Sequence, residues 1–246
     1  MIYLELVGAG ILTGFLSGFF GIGGGTILVP LLLLMGFDTK IAIGISVVQM
    51  VFSSLFGSYL NKKYGTLDVG IIAYIGIGGF LGAQLSGGIT AGFSNEILEF
   101  VFLGFAVFAL VRLFMKPKVN QIPKTKVHPL VLLGIGFVLG VVSMAIGVGG
   151  SIILTPILVG FFYFPLTKAI SAGLFFVVFS SLSGVISQSM NGNVDYTSGI
   201  IIGIFSLLGV YIGITQKEGI SPVLQRRLIV MFYTVVVAYM SYRVFL

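Results

Sequence analysis

The sequence has no cysteine, no tryptophan, a single histidine and only 8% charged residues. Without cysteine there is no disulfide, no thiol chemistry and no cysteine-held metal. The one histidine, His128, lies in a polar linker with no ligand-type neighbour, so neither a metal site nor a histidine-activated nucleophile is expected. The scarcity of charge excludes a water-soluble domain, which carries about 25% charged residues, and the 57% hydrophobic content fits an integral membrane protein. Apolar runs near twenty residues, separated by short polar breaks, specify α-helices rather than a β-barrel, whose strands alternate over about ten residues. The net charge of +6 comes from residues flanking these runs, which reads as positive-inside topology and not as a nucleic-acid partner. Glu5, with no basic n-region or Ala-x-Ala site nearby, makes the first run a helix of the protein rather than a cleaved signal.

What the chain has in excess is glycine, 36 in 246 residues, about twice the usual ~7%. Two clusters stand out, Gly21-Ile22-Gly23-Gly24-Gly25-Thr26, continuing to Pro30, and Gly147-Val148-Gly149-Gly150-Ser151, continuing to Pro156. Glycine weakens a helix because it loses the most backbone freedom on ordering and offers no side chain to pack. Each cluster therefore predicts a helix, an unwound turn, and a second short helix whose start Thr26 or Ser151 caps through its hydroxyl. Pro30 and Pro156 fall early in these short helices, where a missing amide donor is best tolerated.

Long apolar runs occupy about 2–20, 41–60, 69–90, 96–115, 130–147, 169–190, 197–215 and 224–245, with short ones at 26–37 and 151–164. The chain matches itself at an offset of 126 from Gly21–Pro30 to Gly147–Pro156, and of 127 from Val51–Leu55 to Val178–Leu182. This predicts two homologous halves, 1–115 and 130–246, joined by a basic linker at 116–129. With that linker in the cytoplasm, an inverted second half puts eleven of the thirteen Lys and Arg inside and only Lys40 and Arg243 outside; a parallel second half gives eight and five. The bias favours inversion, with both termini outside. The expected fold is thus an all-α integral membrane protein of the cell membrane, an inverted repeat of about eight long helices plus two short glycine-broken ones.

Paired helix breaks at symmetric positions of an inverted repeat point to a transporter's central site, because irregular backbone at membrane depth must be buried in protein or line a wet cavity. The amides of Gly23, Gly24, Gly25 and Thr26, and of Gly149, Gly150 and Ser151, would crown helix N-termini that attract an anion. Ser46, Gln49 and Ser53 share one helix face, and the repeated Phe-Ser-Ser-Leu supplies Ser53, Ser54, Ser180 and Ser181. All of these are candidate substrate-binding residues for a small anion; Gln84 is a further, weaker one. Lys40 and Lys168 precede the same helix in the two halves, as interfacial anchors or as anion attractors at each mouth. No ionisable residue falls near the middle of a span, so no proton relay is apparent. Nothing in the sequence calls for a cofactor.

The block Gly-x-Gly-Gly-Gly-x-x-x-x-Pro at Gly21–Pro30, its second copy ending at Pro156, Lys40-x-Ala42-x-Gly44-x-Ser46, and Gly65-x-x-Asp68 together resemble the sulfite exporter TauE/SafE family of bacterial and archaeal transporters. The likeness covers essentially the whole chain. In the second copy Ser151 replaces the third glycine, and Ser171-Ala172-Gly173 replaces Gly44-Ile45-Ser46. The resemblance implies export or exchange of a small sulfur-containing anion such as sulfite, a sulfonate or thiosulfate. A passive anion channel is the nearest rival reading, and saturable exchange would separate the two. A membrane scaffold without transport is a third. An intramembrane enzyme is disfavoured, since no His, Lys or acid lies near the serines to activate them.

Overall fold

The apolar runs do become helices. A computed structural model describes residues 2–21, 23–114, 128–217 and 222–245, and among these it contains eleven α-helices. In the first half they are α1 (Ile2–Phe20), α2 (Gly25–Leu34), α3 (Thr39–Lys63), α4 (Gly70–Ala83), α5 (Ser86–Gly92) and α6 (Asn95–Phe114). The second half has α7 (Pro129–Ala145), α8 (Ser151–Gly160), α9 (Leu166–Met190), α10 (Tyr196–Lys217) and α11 (Pro222–Phe245). Six segments among the described residues are long and apolar enough to cross a membrane. Large apolar side chains such as Leu81, Phe100, Ile204, Leu208 and Val235 stand exposed on the outside of the bundle, the surface that lipid covers. The protein is an all-α integral membrane protein. Residues 116–127, most of the expected linker, lie outside the described residues, as does Ile22 of the first glycine cluster.

One expected run, 69–90, is two helices where its counterpart α10 is continuous. The cause sits on α9. Ser187 Oγ donates to the Gln84 carbonyl at 2.6 Å and accepts from the Gly87 amide at 2.9 Å, drawing both groups out of the helix ladder at the Gln84–Leu85 turn.

The halves interleave. α1 packs in parallel along α10, where Cβ atoms at Gly10, Gly14 and Gly18 would run into the backbone of Ile202, Ser206 and Val210. α7 packs in the same way along α4, with Gly136 and Gly140 against Ile75 and Gly79. Such seams of small residues let membrane helices approach to backbone contact. The central helices α3 and α9, which correspond in the repeat, cross antiparallel: Gly57 lies at Leu174 while Gly184 lies at Val47. α2 lies on α3 and α8 on α9, so each of these contacts has a counterpart with the halves exchanged.

Candidate functional site

α1 stops at Phe20 and α7 at Ala145, and each chain then turns through glycines of positive φ: Gly21 (+67°) and Gly23 (+73°), Gly147 (+69°), Gly149 (+86°) and Gly150 (+69°). L-residues with a Cβ rarely adopt this conformation, so the two turns need glycine to exist. They meet in the middle of the molecule. A Cβ on Gly25 would land on the Gly147 carbonyl oxygen, and one on Gly23 would stand 3.8 Å from the Gly149 Cα.

The helix starts differ from the sequence expectation. Gly24 and Gly150, not Thr26 and Ser151, are the N-cap residues, and no side chain caps either end. Thr26 instead reaches across to the other half, where its Oγ1 donates to the Val148 carbonyl at 3.3 Å. Ser46 Oγ donates likewise to the Gly147 carbonyl at 2.8 Å. At Thr26 the cap is lost because a carbonyl of the opposite turn lies within reach of the hydroxyl; in α8 the Ser151 amide donates to the Gly149 carbonyl at 2.9 Å.

Gln49, near the middle of α3, is fully buried beside Gly24, and neither its Oε1 nor its Nε2 has a hydrogen-bond partner. Ser151, also fully buried, has an unpartnered Oγ 3.5 Å from where a Gly23 Cβ would stand. The second half does not reproduce this set. By the 127 offset Ser46 corresponds to Gly173 and Gln49 to Phe176, and Phe176 fills space against Gly150. Thr26, Ser46, Gln49 and Ser151 are all neutral, so the charge character of the junction comes from two uncapped helix N-termini, each carrying about +0.5.

The remaining candidates sit nearby in the chain but bond differently. Ser53 Oγ donates to the Met50 carbonyl, Ser180 Oγ to those of Phe176 and Val177, and Ser181 Oγ to that of Val178, each within its own helix. Ser54 Oγ is buried without a partner. Gln84 is exposed, and its side chain is not at the junction's turns. Lys40 Nζ donates to the Ala91 carbonyl at the end of α5, at 2.9 Å, and Lys168 is exposed.

The family scan matches residues 6–240 to the sulfite exporter TauE/SafE model. The chain belongs to that family. Among its relatives, this TauE/SafE protein is 24% identical to the probable membrane transporter protein YunE of Bacillus subtilis, over 96% of this chain and 94% of the relative. It is 28% identical to YdhB of the same organism, covering 82% and 85%, and 27% identical to MJ0441 of Methanocaldococcus jannaschii, covering 88% and 87%; both are also named probable membrane transporter proteins. No solved structure matches. Family and fold together identify a multi-pass membrane transporter.

Two further residues at the junction were not among the sequence candidates. Tyr233 on α11 is 1% exposed and its hydroxyl, near Thr26, has no hydrogen-bond partner, yet its counterpart in the first half is Ala106. Ser143 on α7 stands against Gly150, its hydroxyl bonded to the Leu139 carbonyl at 2.5 Å. The 126 offset matches Ser143 to Ser17, a repeated serine outside the sequence candidates, whereas no repeat or motif singles out Tyr233.

Proposed function

We propose that this TauE/SafE protein is a secondary transporter that exports or exchanges a small sulfur oxyanion, such as sulfite, thiosulfate or a sulfonate. The anion binds between the two glycine turns, on the amides of Gly23, Gly24, Gly25 and Thr26 and of Gly149 and Gly150 and on the Ser151 hydroxyl, with Ser46 and Gln49 on one flank. Ser53, Ser54, Ser180 and Ser181 form the more distant walls. The observation that carries the reading is Gln49. A buried amide left without partners costs about 1–3 kcal/mol, a cost a ligand's oxygens would offset. Helix N-termini add the preference for negative charge.

The antiparallel crossing of the corresponding helices α3 and α9 and the Lys and Arg bias favour an inverted repeat, with the linker in the cytoplasm and both termini outside. In that orientation an anion leaving a negative interior gains about 2.3 kcal/mol per charge per 100 mV, so export needs no coupled ion. Among the described residues the neutral hydroxyls at the junction have no base beside them, which argues against catalysis.

The test is counterflow in proteoliposomes with sulfite, sulfate, thiosulfate, sulfonates and small carboxylates, using Gln49→Leu, Gly24→Leu and Gly150→Leu. Saturable exchange of a sulfur oxyanion, lost in all three variants, is expected. Unsaturable flux would mean a channel, and exchange indifferent to the three substitutions would remove the site from the junction.

A further inference from the structure

The two ends of the α3–α9 pair place corresponding positions together and satisfy them differently. At the end that holds Thr39, Gln188 Nε2 donates to Thr90 Oγ1 at 2.8 Å and to the Met144 carbonyl at 3.2 Å, while its Oε1 accepts from Asn193 at 2.9 Å. Thr90 in turn bonds the Ala145 carbonyl at 2.8 Å, so the last carbonyls of α7 are tied off. At the end that holds Lys63 the 127 offset puts Asn61 in place of Gln188 and Thr66 in place of Asn193. Thr66 Oγ1 again bonds the amide oxygen, at 3.3 Å, and is itself held by Ser171 of α9 at 2.9 Å. The Asn61 Nδ2 has no partner, although Asn61 is only 2% exposed. Asparagine is one methylene shorter than glutamine and does not make the corresponding crossing.

Asn61 does not stand alone. Ser54 and Ser58 on the same helix are buried, at 0% and 7% exposure, and each has an unpartnered Oγ. Val47 meets α9 at Gly184, Ser54 follows Val47 by seven residues, and Ser58 and Asn61 follow Ser54 by four and seven. That spacing keeps all four on the side of α3 that faces α9. Three buried hydroxyl or amide donors in a row, leading from the level of the glycine junction to the Lys63 end, have no hydrogen-bond partner among the described residues.

We propose that this face of α3 is the passage by which a small oxyanion moves between the junction and the Lys63 end, with Asn61 Nδ2 as a donor at its mouth and Ser58 and Ser54 as the next two steps. The stripe is buried in this conformation and opens in another state of the transport cycle. The ligand class rests on the proposed anion transport; the passage itself rests on the unpartnered donors.

The natural absence of cysteine makes the test direct. Single variants Ser54→Cys, Ser58→Cys and Asn61→Cys in the full chain are exposed, from the membrane side bearing Lys62 and Lys63, to a sulfonate-bearing methanethiosulfonate reagent and to its ammonium analogue. Leu60→Cys serves as the control at the same depth, since Leu60 packs against Val210 and Ile214. The three stripe positions are expected to react at least about tenfold faster than Leu60→Cys, and faster with the anionic reagent than with the cationic one. Equal reaction at Leu60→Cys, or none along the stripe, overturns the passage. A second arm replaces Asn61 with Asp, which keeps size and adds a like charge. Exchange of 35S-sulfite is expected to fall about tenfold while its equilibrium binding is retained; unchanged exchange overturns the role of Asn61. If the parent protein exchanges no anion at all, the transport reading fails, and the labelling arm still decides the passage.

Discussion

The two glycine turns share a backbone and differ in what stands around them. The first half brings Thr26, Ser46 and Gln49 to the junction; the corresponding positions of the second hold Ile152, Gly173 and Phe176. Hydroxyls of the first half bond carbonyls of the second turn, and among the described residues no hydroxyl of the second half bonds a carbonyl of the first turn. The two turns thus share the helix breaks, which their backbone conformation requires, and differ in their side chains. The first half sends hydroxyls across to carbonyls of the second turn, and the second adds Ser151 and a phenyl ring as a wall.

The sharpest way to break this division is at Gly25 and Ser151, which occupy the same place in the repeat. Serine fits in the second turn, but any Cβ at Gly25 strikes the Gly147 carbonyl. Gly25→Ser, which makes the first turn resemble the second, is expected to abolish exchange and to lower the melting temperature in detergent by several degrees, because overpacking costs about 1–3 kcal/mol or more. Wild-type exchange in this variant would mean that the turns do not meet in the working protein.

Next in size is the pair Gln49 and Phe176. Gln49→Leu removes an unsatisfied amide of similar shape, so thermal stability should hold or rise while exchange falls at least about a hundredfold. Phe176→Leu should do the opposite, costing about 1–2 kcal/mol of stability through lost packing and changing exchange only a few-fold. Measuring melting temperature and exchange on both variants sharpens the comparison into a crossed pattern; parallel losses in the two would erase it.

A smaller effect is expected at the Thr39 end, where Arg243 Nε meets Glu99 Oε2 at 2.9 Å and Thr39 Oγ1 donates to Glu99 Oε1 at 2.5 Å. Their counterparts in the repeat are Lys116, Arg226 and Leu166, which cannot form such a cluster. The Glu99 side chain is 9% exposed and that of Arg243 33%, so the pair is partly screened. Arg243→Met should cost about 1–2 kcal/mol, less than a fully buried pair would, and Glu99→Gln in the same chain should recover part of it. Additive losses in that double-mutant cycle would mean the ion pair contributes nothing of its own.

How far the sequence revealed all this follows from where each partner lies. Helix runs, glycine breaks and the 126 and 127 offsets are properties of short stretches, and they were legible because composition and periodicity need no partner. The split of 69–90 was not, because Ser187 causes it from a hundred residues away. Thr26 read as a cap for the same reason: the rule is local, and the Val148 carbonyl that draws its hydroxyl away is 122 residues distant. Gln49 was visible as a polar residue in an apolar run, but its lack of partners appears only once everything around it is packed. Tyr233 left no trace at all, since neither its neighbours nor its counterpart Ala106 mark it.

The smallest effects are expected at the repeated Phe-Ser-Ser-Leu, and they separate two kinds of buried serine. Ser53 and Ser180 return their hydroxyls to their own helices, at 3.4 Å and at 3.2 and 3.4 Å, as serines in membrane helices commonly do. Alanine at either should change stability by no more than about 0.5 kcal/mol and leave the exchange rate within twofold, because the carbonyl keeps its helical partner. Ser54, one residue on, has no bond to lose, so Ser54→Ala should leave the melting temperature equally untouched and yet slow exchange. If Ser53→Ala slowed exchange as much as Ser54→Ala, the hydroxyls would be acting through the bending of α3 rather than by contact with an anion.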